Sequence, residues 1–462
     1  MSTASPLSAS LLSALKAIFP GDSLLVGPEE TLVFGADASR LQARPLAVVR
    51  PTDTEQVSKL LALAQAQAVP VYSRGRGTNV VGGCVPDPPG VVISTARLNK
   101  ILEISPEDFL VRAQPGVVTR DLQEACAAKG LFYPPDPASA KFCSIGGNLA
   151  MCAGGMRAVK YGATRDYVLG LTVVLPGGRV LKLGSACHKN VAGLDLVRLF
   201  VGSEGTLGFI AEATLKLLPL PEAQASLLAS FAGQDQCLEA VKGVFAAGLL
   251  PTALEFMPEE VLAALANLGP TPWPDKAKSA LLFKLDGSRD GVLAELGRLR
   301  RLLEGFEPLC LEEAHTPDQG RALWEIRRQI NQASFTVAPD KLSDDIAVPR
   351  GRVGETIRRI RDLAQELGVK ILAFGHLGDG NLHVNVMYDA KNPQETAKAQ
   401  EAKRRVLKLA LSLGGVISGE HGLGRTKLAW LPDQVGPEAV ALMRQVKAVF
   451  DPKGIMNPGK AY

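Results

Sequence analysis

The stretch from Leu131 to Val180, LFYPPDPASAKFCSIGGNLAMCAGGMRAVKYGATRDYVLGLTVVLPGGRV, limits the folds open to this chain more than any other. Its prolines and glycines leave little helical periodicity, yet it is too apolar for a disordered segment. A loop-rich, small-residue run of this kind either wraps a ligand or supplies turns between sheet strands. The same character returns in Leu199 to Ile210, LFVGSEGTLGFI, and appears earlier in Arg74 to Gly83, RGRGTNVVGG. In the earlier segment the glycines let backbone approach a ligand closely, and successive amides can form a nest for phosphate oxygens. Its spacing is not the Gly-x-Gly-x-x-Gly dinucleotide fingerprint, and it lacks the Gly-Lys-Ser/Thr of a P-loop. A diphosphate site and an ordinary glycine-rich turn both fit this segment taken alone.

Around these loops the pattern is mixed helix and strand. LAVVR from Leu46, the capping box Thr52-Asp-Thr-Glu55, a helical run VSKLLALAQAQA and a strand over 69–73 make a right-handed βαβ unit. Strands are expected over 91–94, 99–104 and 109–114, and a helix over 119–129. The N-terminal segment lacks a basic n-region and a long apolar run, and reads as an amphipathic helix from Pro6 to Phe19 rather than a signal peptide. After the Pro219-Leu-Pro221 break, strands over 225–231, 252–257 and 279–285 alternate with amphipathic helices over 234–247, 289–304 and 351–367. That is the pattern of an α+β sheet covered by helices on one face.

Histidine is scarce and clustered. Of five histidines, His376, His383 and His421 fall in two short segments, AFGHLGDGNLHVN (Ala373 to Asn385) and GGVISGEHGLGRTK. Residues 370–376 and 381–387 read as strands joined by LGDG, a turn with glycines available for positive φ. Pairing His376 with Asn381 places Phe374 opposite His383, and the two-residue pleat then puts His376, Asn381, His383 and Asn385 on one face. The two imidazoles become diagonal neighbours within reach of one metal ion. A carboxylate from Glu420 completes a His, His, Glu set with an open position, leaving His421 as a base. The plainer alternative is a set of hydrogen-bonded surface histidines beside glycine loops.

Composition sets the remaining bounds. At 462 residues, 46% of them apolar, the chain suits two or three domains. A net charge of +4, from 51 basic and 47 acidic residues with no long basic block, does not favour nucleic acid as a partner. Seven scattered cysteines without a Cys-x-x-Cys pair suit reduced thiols in the cytoplasm, not a disulfide framework, a zinc ribbon or an iron–sulfur relay. No apolar run approaches a membrane span.

In order along the chain, RGRGTNVVGG, PPDPASAKFCSIGGNLAMCAGG, KYGATRDYVLGLTVVLPGG, VGSEGTLGFI, GHLGDGNLHVN with SGEHGLGRTK, and FDPKGIMNPGK resemble the flavin-dependent 2-hydroxyacid dehydrogenases. This is the family of the glycolate oxidase D subunit, D-lactate dehydrogenase and D-2-hydroxyglutarate dehydrogenase, and the match runs from about Leu46 to Lys460. The resemblance implies an α+β protein with a two-part FAD-binding domain of the vanillyl-alcohol oxidase type over 1–220, its core over 42–220. It further implies a cap domain with an antiparallel sheet over 221–415 and a return to the flavin domain over 416–462.

The resemblance also implies site residues. Arg74, Gly75, Arg76, Gly77, Thr78 and Asn79 would cradle the FAD diphosphate. Pro135, Asp136, Ser139, Gly146, Gly147, Asn148, Ala150 and Gly154 would line the flavin and ribityl chain. Gly205 and Ile210 would hold the adenine side, and Asn457 belongs to the closing motif. Relatives that attach flavin covalently do so through a histidine in the first glycine loop; this loop has none, so the FAD is expected to be non-covalent.

Zinc or manganese on His376, His383 and Glu420 would bind the hydroxyl and carboxylate oxygens of a hydroxy acid. His421 would be the base, Arg327 would grip the substrate carboxylate, and Asn385 would donate a hydrogen bond. Dicarboxylate-specific relatives carry a lysine where this chain has Ser343, although Lys341 is near, so D-lactate or glycolate is expected ahead of D-2-hydroxyglutarate. An iron–sulfur partner subunit, an electron-transfer flavoprotein or a quinone would take the electrons. Cytoplasmic location, peripheral membrane association through a partner and oligomerisation are all compatible with the sequence. A flavin-free, metal-dependent hydrolase and a non-catalytic flavin subunit are the other readings.

Overall fold

In the computed structural model, which describes residues 7–462, the chain divides into two compact units. One holds the residues up to Gly154, Ala163–Leu220 and Glu420–Tyr462. The other holds Gly155–Gly162 and Pro221–Gly419.

The first unit begins with the helix Ala9–Ile18, whose N-cap Ser8 accepts the Leu11 N–H; the expected start at Pro6 lies outside the described residues. Strands β1 (Leu24–Leu25), β2 (Ala47–Val49), β3 (Val71–Arg74) and β4 (Val91–Ser94) form a sheet in the order β1-β2-β4-β3. β2 and β3 both run parallel to β4. The helix between β2 and β3, Thr54–Gln67, buries Val57, Leu60, Leu61 and Ala64 at helical spacing. Its cap is Asp53, one residue later than the capping box read from Thr52. The Asp53 carboxylate accepts the Gln56 N–H, while Gln56 reaches back to the Thr52 N–H, in keeping with the stronger capping preference of aspartate.

A second, antiparallel sheet comprises β5 (Ile101–Ser105), β6 (Leu110–Ala113), β8 (Val168–Val174), β9 (Val180–Gly184) and β10 (Phe209–Lys216), in the order β5-β6-β10-β8-β9. Two short strands, β7 (Leu131–Phe132) and β11 (Leu218–Pro219), pair separately. Within the glycine-rich stretch Ile145–Met151 is nevertheless helical. Gly146 and Gly147 mask that helix in the sequence, because glycine weakens the helical signal. The core beside the first sheet is built from Leu11, Leu15, Val49, Leu60, Val71 and Phe209 among others.

The second unit is organised on one seven-stranded antiparallel sheet. Its strands are β12 (Ala223–Phe231), β13 (Ala253–Pro258), β14 (Ser279–Gly287), β15 (Cys310–Ala314), β16 (Asp340–Ala347), β17 (Lys370–His376) and β18 (Asn381–Tyr388). The order is β15-β12-β14-β13-β17-β18-β16, so the histidine hairpin is flanked on both sides. The helix Val353–Leu367 buries Val353, Ile357, Ile360 and Leu363 at helical spacing and ends at Gly368 with φ +61°, which turns the chain into β17. Ile371, Leu382, Val384 and Val386 lie on one face of the hairpin, and His376, Asn381, His383 and Asn385 on the other. The expected α+β class with an antiparallel cap sheet is the architecture observed.

All seven cysteines are free thiols. Among the described residues no helix is long and apolar enough to cross a membrane.

Candidate active site

The first unit contains a cradle made of backbone. β3 ends in Arg74 and runs directly into the first glycine loop. The Arg74 side chain turns inward: its guanidinium donates to the carbonyls of Ala36 and Val33 and to Cys84 Sγ, and lies over the Phe34 ring. The Arg74 side chain is therefore spent on shaping the loop. Gly77 has φ +68°, and a Cβ there would fall 2.2 Å from Arg74 Nη2. A Cβ on Gly75 would fall 2.5 Å from Ser144 Oγ and 3.5 Å from the Gly147 nitrogen, so the two glycine segments approach as only glycine allows.

Polar atoms around this cradle lack partners. Ser73 Oγ, Ser144 Oγ and Asn457 Oδ1 are buried without a hydrogen bond. The Asn457 amide nitrogen is spent on the carbonyls of Gly83 (2.9 Å) and Glu204 (2.6 Å), which fixes its oxygen in place. A Cβ on Gly205 would meet Ser73 Cβ at 3.6 Å and Asn457 Nδ2 at 3.9 Å. Buried orphan groups are rare in folded proteins and call for a ligand or water. A long, polar, phosphate-bearing cofactor fits these residues: unpartnered hydroxyls, an unpartnered amide oxygen and closely approaching glycine backbone from four separate segments converge.

Other expected cofactor residues divide between ligand-facing and structural work. Asn79 Oδ1 accepts from Val81 and Gly83, and its Nδ2 donates to the His421 carbonyl. Asn148 spends its amide on Thr119 Oγ1 at 2.7 Å. The Pro135 carbonyl accepts from Gln123, the Ser139 carbonyl from Cys143, and Gly146 packs on Pro115. The Ala150 carbonyl accepts the Glu204 N–H. Arg76 is exposed, Thr78 and Asp136 are half-buried, and Ile210 is buried in β10 opposite Val173. A Cβ on Gly154 would lie 3.2 Å from Glu420.

Glu204 was not singled out in the sequence, yet it organises the segment after His421. Its Oε1 accepts the Leu423 N–H at 2.8 Å and its Oε2 the Gly424 N–H at 2.9 Å. Burial raises its pKa, against the opposing effect of those two hydrogen bonds. His421 Nε2 lies 3.7 Å from Glu420 Oε1, and its side chain is about one quarter exposed.

The second unit carries the histidine face. The register predicted from the sequence is present: His376 pairs with Asn381, and Phe374 with His383. His376 Nε2 and His383 Nε2 are 3.3 Å apart, with ring centroids 5.0 Å apart and nearly perpendicular planes. Asn385 is buried on the same face, opposite Leu372 and Ser343. The adjacent strand contributes a residue the sequence reading missed, Glu255, paired with His376 across β13 and β17. Glu255 is fully buried; Oε1 meets His376 Nδ1 at 2.5 Å and Oε2 accepts Arg327 Nε at 2.6 Å. Burial pushes its carboxyl up, but the facing His376 and Arg327 outweigh that and bring the pKa down to about 2. Arg327, at the end of the helix Pro317–Arg328, also lies over the Phe374 ring at 5.0 Å. Gly419, the last residue of this unit, donates to Asp345 Oδ2 at 2.7 Å, which fixes the point from which the chain continues to Glu420.

Two nitrogens facing one another at 3.3 Å, one ring anchored from behind by a buried carboxylate, suit a shared divalent cation. The fold and the cradle together define a flavin-linked oxidase of the vanillyl-alcohol oxidase type. Residues 45–184 match the FAD binding domain family, and residues 220–461 match the family of FAD linked oxidases, C-terminal domain. The chain is 39% identical over 432 residues to glycolate oxidase subunit GlcD of Bacillus subtilis (strain 168), covering 93% of this chain and 92% of the relative. It is 37% identical over 471 residues to D-lactate dehydrogenase of Anaerostipes hadrus, covering 97% and 96%. The solved structure of 4-ethylphenol oxidase from Gulosibacter chungangensis shares the fold, with a TM-score of 0.79 at 18% identity over 98% of each chain.

The chain belongs to the family of FAD-linked oxidases that includes the glycolate oxidase D subunit and D-lactate dehydrogenase. It is an FAD-dependent oxidoreductase, which removes the flavin-free hydrolase alternative.

Proposed function

We propose that the protein oxidises a small D-2-hydroxy acid, D-lactate or glycolate, to the 2-oxo acid. The observation that carries this reading is the pair of facing histidine nitrogens beside the buried Glu255–Arg327 pair, on a protein whose relatives include a glycolate oxidase subunit and a D-lactate dehydrogenase. Non-covalent FAD, held along Arg74 to Asn79, Pro135 to Gly154, Gly205, Ile210 and Asn457, supplies the two-electron acceptor. A divalent cation, zinc or manganese, held by His376, His383 and Glu420, supplies Lewis acidity at the substrate hydroxyl.

The chain's own residues do the rest. His421 takes the hydroxyl proton, as an imidazole of near-neutral pKa is suited to do. The Nη groups of Arg327 pair with the substrate carboxylate, since its Nε is already held by Glu255. Asn385 donates its amide N–H to a substrate oxygen. Ser343, opposite Asn385, offers no cation for a second carboxylate. Lys341 is directed to Asn331 and lies over Phe335, which further supports a monocarboxylate.

The electrons leave to an iron–sulfur partner subunit, an electron-transfer flavoprotein or a quinone, and we place the protein in the cytoplasm. Anaerobic mixing of the yellow protein with D-lactate, L-lactate, glycolate and D-2-hydroxyglutarate tests the assignment. Bleaching by D-lactate or glycolate ahead of the others is expected; bleaching by none of the four would refute it.

A further inference from the structure

Glu255 stands outside every motif that marks this site, in a strand that otherwise reads ALEFMP and is buried throughout. A carboxylate in such a strand is costly unless both oxygens are satisfied by charge-assisted partners. Here each oxygen has one partner, and each partner is a residue with a role in the reading above. Oε1 is bound to His376 Nδ1 and Oε2 to Arg327 Nε. The links continue: Arg327 lies over Phe374, and Phe374 packs against His383 at 5.5 Å between centroids. His383 then faces His376 across the 3.3 Å gap, closing a ring of five side chains of which Glu255 is one.

We propose that Glu255 is a positioning residue for both ends of the α-hydroxy acid group. By accepting from His376 Nδ1 it fixes the tautomer that turns a bare Nε2 toward the cation. By accepting from Arg327 Nε it leaves the two Nη groups to grip the substrate carboxylate. This rests on the reading of the site given under Proposed function. A neutral imidazole has one N–H and one lone pair, so whichever group holds Nδ1–H decides where the lone pair points. A guanidinium held at Nε keeps the planar fork that matches a carboxylate. One buried acid thereby ties cation affinity to substrate affinity.

The test uses the FAD-loaded, full-length protein titrated with Zn2+ against a coloured chelator, with flavin content as the check on folding. Two double variants separate positioning from charge balance, because both remove the buried ion pair. Glu255→Leu with Arg327→Met has no acceptor for Nδ1, and its Zn2+ affinity should fall about 10- to 100-fold. Glu255→Gln with Arg327→Met has an amide oxygen free to accept from Nδ1, and should keep Zn2+ affinity within a few fold of the parent.

In the single variant Glu255→Gln the amide nitrogen must face one of the two donors. Either Zn2+ affinity falls or the KM for D-lactate rises, by about tenfold. Equal Zn2+ affinity in both double variants and the parent, all retaining flavin, would overturn the role of Glu255. A parent protein that takes up no Zn2+ would overturn the metal reading itself, and this inference with it.

Discussion

Glu204 holds Gly424: the carboxylate Oε2 accepts the Gly424 N–H at 2.9 Å, from a residue that is itself buried and in the left-handed region at φ +53°. Its other oxygen holds Leu423, and Asn457 holds its carbonyl. A Cβ on Gly422 would come within 2.9 Å of the same carboxylate. The segment that carries His421 is thus pinned by one acid from the SEGTLG loop, within a single unit of the protein.

Because burial raises the folded-state pKa of Glu204 above the ordinary glutamate range, the folded state binds the proton more tightly than the unfolded state does. The stability this contributes is fully present below the unfolded pKa and is lost as pH rises through the raised folded value. Denaturant titrations across that window should show stability falling with pH in the parent. Glu204→Gln, which has no proton to exchange there, should show a shallower slope. Parallel profiles for the two proteins would contradict the assignment.

Val159 fills the space a side chain would need at Gly378, in the turn of the histidine hairpin. A Cβ there would fall 2.6 Å from Val159 Cγ2 and 2.7 Å from its Cβ. Gly378 has no left-handed φ to protect, so the constraint is packing alone. Lys160 and Tyr161, next along the chain, anchor on the buried Asp286, which also accepts from Thr252. Gly378→Ala should cost about 1–3 kcal/mol by overpacking. Adding Val159→Ala should recover most of it, giving a coupling energy of matching sign in a double-mutant cycle. Additive effects would remove Val159 from the account.

Much of the hairpin could be read from the sequence because its information is local. The two-residue pleat, the turn LGDG and the spacing of His376, Asn381, His383 and Asn385 set the pairing, and the register is the one observed. Glu255 could not be read that way. A strand over 252–257 was expected and forms over 253–258, but its partnership with β17 joins residues 121 apart, and no period in either segment announces it. Arg327 came only through family resemblance, since the helix Pro317–Arg328 was not among those expected and no motif pairs it with Glu255. The same limit applies to Gly155–Gly162. Nothing in the glycine-rich stretch says that these residues belong with the second sheet, where Met156 packs on its core and Lys160 on Asp286.

Ser343 gives a handle on substrate choice. It is exposed and lies opposite Asn385 in β16, at the place where the family resemblance implies a lysine in dicarboxylate-specific relatives. Ser343→Lys should raise kcat/KM for D-2-hydroxyglutarate relative to D-lactate roughly five- to tenfold, the worth of about 1 kcal/mol for a half-exposed ion pair. An unchanged ratio would mean that the second carboxylate is recognised elsewhere.

On the proposed chemistry, oxidation needs both the flavin and a cation at the histidine face. Its most direct test is the rate at which D-lactate bleaches the flavin anaerobically in three samples: the protein as purified, the protein after thorough chelation, and the chelated protein with Zn2+ or Mn2+ restored. Chelation should slow bleaching at least tenfold while the FAD stays bound, and one of the two cations should restore the rate. A stripped protein that bleaches as fast as the untreated one would contradict that requirement.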